Sequence, residues 1–270
     1  MATISELNIY PLKSGRAIPL QQATLGVTGF EWDRHWMAAS PDGVFMSQRT
    51  QPRLALVVPE VADDALTLRA PGLQPLRLSV KPEGPTLPAR VWKDSITSLD
   101  LGDAAAKWLT EAIGVPARLL RISPVLDRRA NVQFAGPTPA PVSFSDGFPI
   151  LVVNAASLAH LNKRMPSPVG MERFRPNIVL EGLEPFEEDR ISELRFETVT
   201  LRLVKPCTRC VITSTDQLTG EPSTNPLPVL RSFRFDKALM GVTFGENAII
   251  AHGVGQVLTR GATCSVVHDA

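Results

Sequence analysis

Prolines punctuate this chain at short intervals. There are 24 among 270 residues, spread between apolar runs instead of gathered in one linker. Proline lacks an amide proton and fixes φ, so helix interiors and central strands exclude it. A chain broken this often predicts many short strands joined by turns. The expected class is mainly β with a few helices (α+β).

Residues Thr3 to Tyr10 read as a strand that ends at Pro11, with Leu12-Lys13-Ser14-Gly15 as the turn after it. Ile18 to Leu25 reads as a second strand. Pro41-Asp42-Gly43 between apolar runs is a hairpin turn, since proline presets φ and glycine supplies positive φ. Leu54 to Val91 predicts four short strands broken by Pro59, Pro71, Pro75, Pro82, Pro85 and Pro88. Asp103 to Ile113 predicts a helix, with Asp103 as its cap, Gly114 as a left-handed exit and Pro116 barring continuation. Leu119 to Ile122 is a strand, and 124–141 is a long proline-rich loop that marks a boundary. The chain thus divides into residues 1–123 and 124–270. In the second region, Ser145 to Pro149 reads as a turn and Ile150 to Val153 as a strand. Asn154 is positioned to cap a helix through about Lys163. Later strands are expected at 191–196, 198–204, 211–215, 244–250, 254–258 and 264–267.

Formal net charge is +1, which gives no electrostatic reason to expect a nucleic acid polymer or a membrane surface as partner. Apolar runs such as Leu54 to Val58 fall far short of the ~20 residues of a spanning helix. The start, M-A-T-I-S-E-L, lacks a basic n-region and a long h-region, so no secretory signal is expected. Three cysteines do not make a disulfide framework. The expectation is a cytoplasmic protein in a reducing compartment.

Two of those cysteines, Cys207 and Cys210, bracket Arg209 between β-branched apolar segments. Four chemistries compete for such a pair. Structural zinc needs four ligands, and there is no second pair. A dithiol exchange centre would open a helix, whereas Val211-Ile212-Thr213 reads as a continuing strand. A buried inert thiol is the plain structural alternative. The fourth is one thiolate on a thiophilic metal, with Arg209 beside it favouring the ionised thiol. One protein ligand holds a metal poorly, so an organic cofactor would supply the rest. Lys13, Arg34 and Arg175 are the cations available to anchor it. Position alone also allows Lys13 to be a surface lysine, Arg34 to stack on Trp32 and Trp36, and Arg175 to be a solvated strand entry.

Five motifs in order resemble the MOSC family (molybdenum cofactor sulfurase C-terminal-like), in the branch with an N-terminal MOSC β-barrel domain. They are Y-P-L-K-S-G at Tyr10 to Gly15, D-R-H-W at Asp33 to Trp36, S-D-G-F-P at Ser145 to Pro149, F-R-P-N at Phe174 to Asn177, and C-T-R-C-V-I-T-S-T-D-Q-L-T-G from Cys207. The chain is similar nearly end to end to the amidoxime-reducing members and their bacterial counterparts. The resemblance implies a β-barrel-type MOSC domain and a pyranopterin molybdenum cofactor. It implies that Cys210 is the molybdenum ligand and the catalytic position. Thr208 and Arg209 would line the cofactor beside it, with Lys13, Ser14, Arg34, Asp146, Gly147, Phe148, Arg175, Asn177 and Asn247 as further neighbours. Gly147 and Phe148 stand where relatives often carry small hydroxyl residues, and Asn247 where animal members have a tyrosine.

The implied activity is reduction of small N-hydroxylated compounds, with N–O cleavage and release of water. No ferredoxin-type cysteine cluster is present, so electrons are expected from a separate donor protein (flavoprotein, ferredoxin or cytochrome b5-like). The competing expectation is a carrier of the molybdenum cofactor or of sulfur without turnover. Asp216 is either a proton relay or part of an ordinary D-Q-L-T-G turn.

Overall fold

A computed structural model describes residues 1–81 and 83–269. Pro82, one of the expected strand breaks, lies outside the described residues. Seven strands close a β-barrel. In hydrogen-bonded order they are Ile150–Asn154, Ile178–Glu181, Ala2–Ile9, Thr263–His268, Ile191–Arg195, Thr200–Thr208 and Gly241–His252. The last pairs back onto the first, with Ile150 opposite Ala248. Six of the seven pairings are antiparallel. The parallel pair, Ile150–Asn154 with Ile178–Glu181, needs a crossover. The helix Ala155–Asn162 begins that connection.

The first strand lies within this barrel, between Ile178–Glu181 and Thr263–His268. Its Ile4 and Leu7 join Val152, Leu180, Leu194 and Leu201 in one buried core. A second core gathers Trp36, Leu54, Leu66, Trp108, Leu109 and Leu119. It lies among the strands Trp36–Ala39 and Arg118–Ile122, the meander Val58–Ala62, Ala65–Arg69, Leu76–Ser79, and the helix Gly102–Ile113. The strands Asp94–Asp100 and Thr86–Val91 extend that sheet and pack Ile96, Ala89 and Val91 with Met37 and Leu120 in a separate core.

Several local expectations change. Ile18 to Leu25 is two strands, Ile18–Leu20 and Gln22–Gly26, which pair with different partners. Leu54 to Val58 does not begin as a strand: Pro52–Leu56 is a short 3-10 helix with proline at its start, which suits a residue lacking an amide donor. The loop 124–141 contains one helical turn, Val132–Ala135, capped by Asn131. Asp103 does not cap its helix. Asp100 Oδ1 accepts from the Gly102 amide at 2.9 Å, and Asp103 turns outward to Arg118. Gly114 does take the left-handed exit, with φ 83°, and Asn154 does cap the next helix through Ala156.

Candidate active site

Segments at strand ends build one open cleft with a volume of about 140 Å³. The turn after the first strand brings Lys13 and Ser14. The turn before Ile150–Asn154 brings Asp146, Gly147 and Phe148. The segment before Ile178–Glu181 brings Arg175 and Asn177, and the end of Thr200–Thr208 brings Thr208, Arg209 and Cys210. Arg34 and Asn247 complete the set, so every residue expected near the cofactor lines this cleft. Lys13 and Cys210, far apart in sequence, share it.

Three of these residues hold a left-handed backbone without being glycine: Ser14 (φ 67°), Arg34 (φ 53°) and Arg175 (φ 57°). Such conformations cost on the order of 1 kcal/mol or more each and persist where surrounding contacts fix them. The contacts are visible. Lys13 N donates to the Trp36 carbonyl at 2.7 Å, which ties the first turn to the next sheet. Arg34 donates to both oxygens of the buried Asp33 and to Asn177 Oδ1 at 3.1 Å. Its guanidinium lies over the Tyr10 ring, not over Trp32 and Trp36; Arg121 takes those indoles instead. Arg175 also lies over Tyr10 and donates to the Gly15 carbonyl at 2.7 Å.

Asn177 faces the cleft with its amide already engaged. Oδ1 accepts from Arg34 and from the Leu151 amide, and Nδ2 donates to the Asn8 carbonyl. It acts as a brace for Arg34. Asn247 Nδ2 donates to the Lys205 carbonyl at 3.1 Å. Lys13 is buried, and Nζ donates to Asp146 Oδ1 at 2.5 Å and to the Phe144 carbonyl at 2.7 Å. Burial lowers the Lys13 pKa, and Asp146 works against that. Desolvation opposes the Asp146 carboxylate only weakly, since that side chain is 64% exposed, and Lys13 and, further off, Arg49 hold it below the ordinary range. Burial pushes Arg175 down to about 10.

The cysteine segment differs from expectation. The residues after Cys210 form a 3-10 turn, Val211–Ser214, not a strand. Arg209 does not sit on Cys210. Its guanidinium donates to Cys207 Sγ at 2.9 Å and to the Phe174 carbonyl at 2.6 Å. The cation on Cys210 Sγ is Arg49, at 3.1 Å. No disulfide joins the pair; all three cysteines are free. Asp216 belongs to a turn, with Oδ1 accepting from the Leu218 and Thr219 amides.

Among the described residues, Arg49, Arg175 and Arg209 line the cleft without any carboxylate within salt-bridge distance. Two polar atoms of the lining, Arg209 Nε and Ser145 Oγ, are buried with no hydrogen-bond partner among the described residues. A cleft with unpaired guanidinium groups, unsatisfied polar atoms and a thiol on its wall suits an anionic organic ligand carrying a thiophilic metal. No group of three or more His, Cys, Asp or Glu side chains is arranged to hold a metal among the described residues.

Residues 1–116 match the family described as the MOSC N-terminal beta barrel domain, and residues 139–263 the MOSC domain. Mitochondrial amidoxime reducing component 2 of Bos taurus is 36% identical over 244 residues, covering 87% of this chain and 73% of that protein. The chain belongs to the MOSC family. Mitochondrial amidoxime-reducing component 1 of Homo sapiens is 35% identical to this MOSC protein over 246 residues, 87% of it and 72% of the relative. Molybdenum cofactor sulfurase of Danio rerio is 29% identical over 260 residues, 89% of this MOSC protein and 31% of the relative.

Motif reading of this MOSC protein missed several lining residues: Ser47, Arg49, Ser145, Phe174, Ile212 and Thr213. Most lie inside or beside the recognised motifs and were within reach. Ser47 and Arg49 are not. They sit in an unremarked loop after the Pro41-Asp42-Gly43 hairpin, and only the tertiary fold carries them to the cysteines.

Proposed function

We propose that this protein is a molybdenum-cofactor-dependent reductase of small N-hydroxylated compounds, cleaving the N–O bond with release of water. One observation carries the reading: a thiol and three guanidinium groups without carboxylate partners face the same cleft. The relatives named amidoxime reducing components support the reaction class. The relative named molybdenum cofactor sulfurase supports the cofactor.

When bound, the cofactor supplies two-electron exchange at its metal. Cys210 binds that metal as a thiolate and is the catalytic position. Lys13, Arg34, Arg175 and Arg209 hold the anionic parts of the cofactor, since fixed cations bind phosphate-type oxygens strongly. Ser14, Thr208 and Asn247 present short polar groups to it, and Gly147 and Phe148 form the turn beside it. Asp146 fixes Lys13, and Asn177 fixes Arg34. Residues 1–123 and 124–270 each supply one side of the cleft. Electrons come from a separate donor protein, a flavoprotein, ferredoxin or cytochrome b5-like partner. The three free thiols support a reducing compartment, for which the cytoplasm is the proposed location. No helix among the described residues is long and apolar enough to cross a membrane.

A second reading, a cofactor or sulfur carrier without turnover, is supported by the sulfurase relative. The two part in one experiment. The protein is expressed in a host that makes the cofactor, and molybdenum per chain is measured. Reduced viologen and an N-hydroxylated substrate are then added. Substrate-dependent viologen oxidation supports the reductase; bound molybdenum without it supports the carrier. Cys210→Ala with full molybdenum and full activity would overturn the ligand assignment.

A further inference from the structure

We propose that Arg49 is the positioning residue for Cys210, and that Trp92 is the platform that holds Arg49 in place. The inference rests on reading Cys210 as the metal's ligand. It adds a residue from the first half of the chain that none of the five motifs contains.

Four observations converge. Arg49 Nη2 lies 3.1 Å from Cys210 Sγ, across 161 residues of sequence. Its guanidinium carbon lies 4.6 Å from the centre of the Trp92 ring. Trp92 is itself fixed: its indole Nε1 donates to Asp146 Oδ1 at 3.2 Å, and its ring is 4.8 Å from Phe45. Trp92 has φ 57°, an outlier for a bulky side chain. It is 44% exposed and opens the two-residue hairpin turn between Val91 and Asp94, where the loop itself calls for a positive φ. The backbone is held as firmly. Gln48, next to Arg49, exchanges two amide hydrogen bonds with Gln217, each 2.9 Å. Gln48 also donates to the Ser14 carbonyl at 2.7 Å. These buried bonds fasten the Ser47–Arg49 segment to the turn that follows Cys210.

The consequence is chemical. Arg49 makes no ion pair among the described residues, so it is a fixed cation beside the sulfur. It keeps the sulfur on the cleft wall, and it draws anionic groups toward that sulfur. Arg209 does not do this for Cys210, because its two terminal nitrogens are turned to Cys207 Sγ and the Phe174 carbonyl, leaving only Nε without a partner among the described residues.

The test begins with the full-length chain from a host that lacks the cofactor, so it does not depend on metal. Alkylation rates at Cys210 are compared for iodoacetate and iodoacetamide, which differ in charge. Trypsin cleaves after Arg209, so Cys207 and Cys210 fall on separate peptides and are counted separately by mass spectrometry. Arg49→Gln is expected to lower the iodoacetate-to-iodoacetamide ratio at Cys210 about fivefold, leaving Cys207 unchanged; Arg49→Lys should restore most of it. An unchanged ratio at Cys210 in Arg49→Gln overturns the proposal. Should that variant fail to fold, Trp92→Ala leaves Arg49 present but unsupported, with a fall of about twofold expected and no change overturning the proposal. In a cofactor-producing host, Arg49→Gln should hold less molybdenum per chain than wild type, with Arg49→Lys between them. Wild-type loading in Arg49→Gln also overturns it. Full molybdenum and full activity in Cys210→Ala would instead sink the ligand reading, whatever the alkylation ratios give.

Discussion

Arg34 and Arg175 share one aromatic ring. Their guanidinium carbons lie 4.3 and 4.2 Å from the centre of Tyr10, and Arg34 Nη2 donates to the Arg175 carbonyl oxygen at 3.3 Å. Tyr10 is the only tyrosine of the chain. It is fully buried, and burial pushes its hydroxyl up to about 12, so the ring stays neutral. Two cations this close repel. The electron-rich ring and the Asp33 carboxylate offset that repulsion, leaving a preformed positive wall.

Tyr10 therefore tests the wall. Tyr10→Phe keeps the ring and loses the bond from the hydroxyl to the Pro176 carbonyl, an expected cost of about 1 kcal/mol. Tyr10→Leu also removes the surface under both arginines, with an expected cost of about 2–4 kcal/mol. Urea unfolding measures both. Molybdenum content should fall only in the leucine variant.

Gly29 couples the first half of the chain to the S-D-G-F-P turn. Its φ is 115°, and a Cβ there would lie 2.4 Å from the Pro149 carbonyl oxygen. Neither atom is at the end of a flexible side chain. Gly29→Ala is expected to destabilise by about 2–4 kcal/mol and to lower cofactor loading by shifting Asp146 and Phe148. Calorimetry and metal analysis check it.

Glu246 is buried beside Asn247, and its Oε1 has no hydrogen-bond partner among the described residues. Burial raises its pKa from 4.5 to about 9, with Asp189 and Glu188 adding to the effect. The protonated form is thus favoured in the folded state. Its stabilising contribution is full below pH 4.5 and declines as pH rises toward 9. Glu246→Gln removes this decline. The variant should gain on wild type by about 2–3 kcal/mol at pH 7 and match it near pH 4. Urea unfolding across pH 4 to 9 decides it; parallel curves for the two proteins refute it.

The helix Gly102–Ile113 offers a contrast between two carboxylates. Asp100 accepts from the Gly102 amide and pairs with Arg118, and it is nearly buried. The Asp103 side chain is 95% exposed. Asp100→Ala is expected to cost about 2 kcal/mol and Asp103→Ala less than about 0.5 kcal/mol. Thermal unfolding of the pair separates them, and equal losses would return the cap to Asp103.

The same helix shows how far sequence reading reached. Gly114 and Pro116 end it through local backbone chemistry, which sequence carries. The start was misread because two aspartates stand three residues apart, and which one turns inward depends on Arg118 in another strand. Asn154 was legible because one residue type and one helix suffice for its cap. The failed strand after Cys210 had the opposite cause: Val211-Ile212-Thr213 has β-type side chains, yet the chain turns there and no strand among the described residues pairs with it.

By itself the sequence determined most of the short strands and their breaks, the helices Gly102–Ile113 and Ala155–Asn162 though not Leu227–Arg234, and the five motifs whose residues line the cleft. Each depends on neighbours in the chain: proline's missing donor, glycine's positive φ, alternation of apolar side chains. Tertiary structure alone decided that Ala2–Ile9 closes the barrel between Ile178–Glu181 and Thr263–His268. It also decided that Arg49, not Arg209, meets Cys210. The physical reason is common to both. Strand partners and side-chain directions are fixed by which faces become buried against distant segments, and no local pattern encodes a contact 161 residues away.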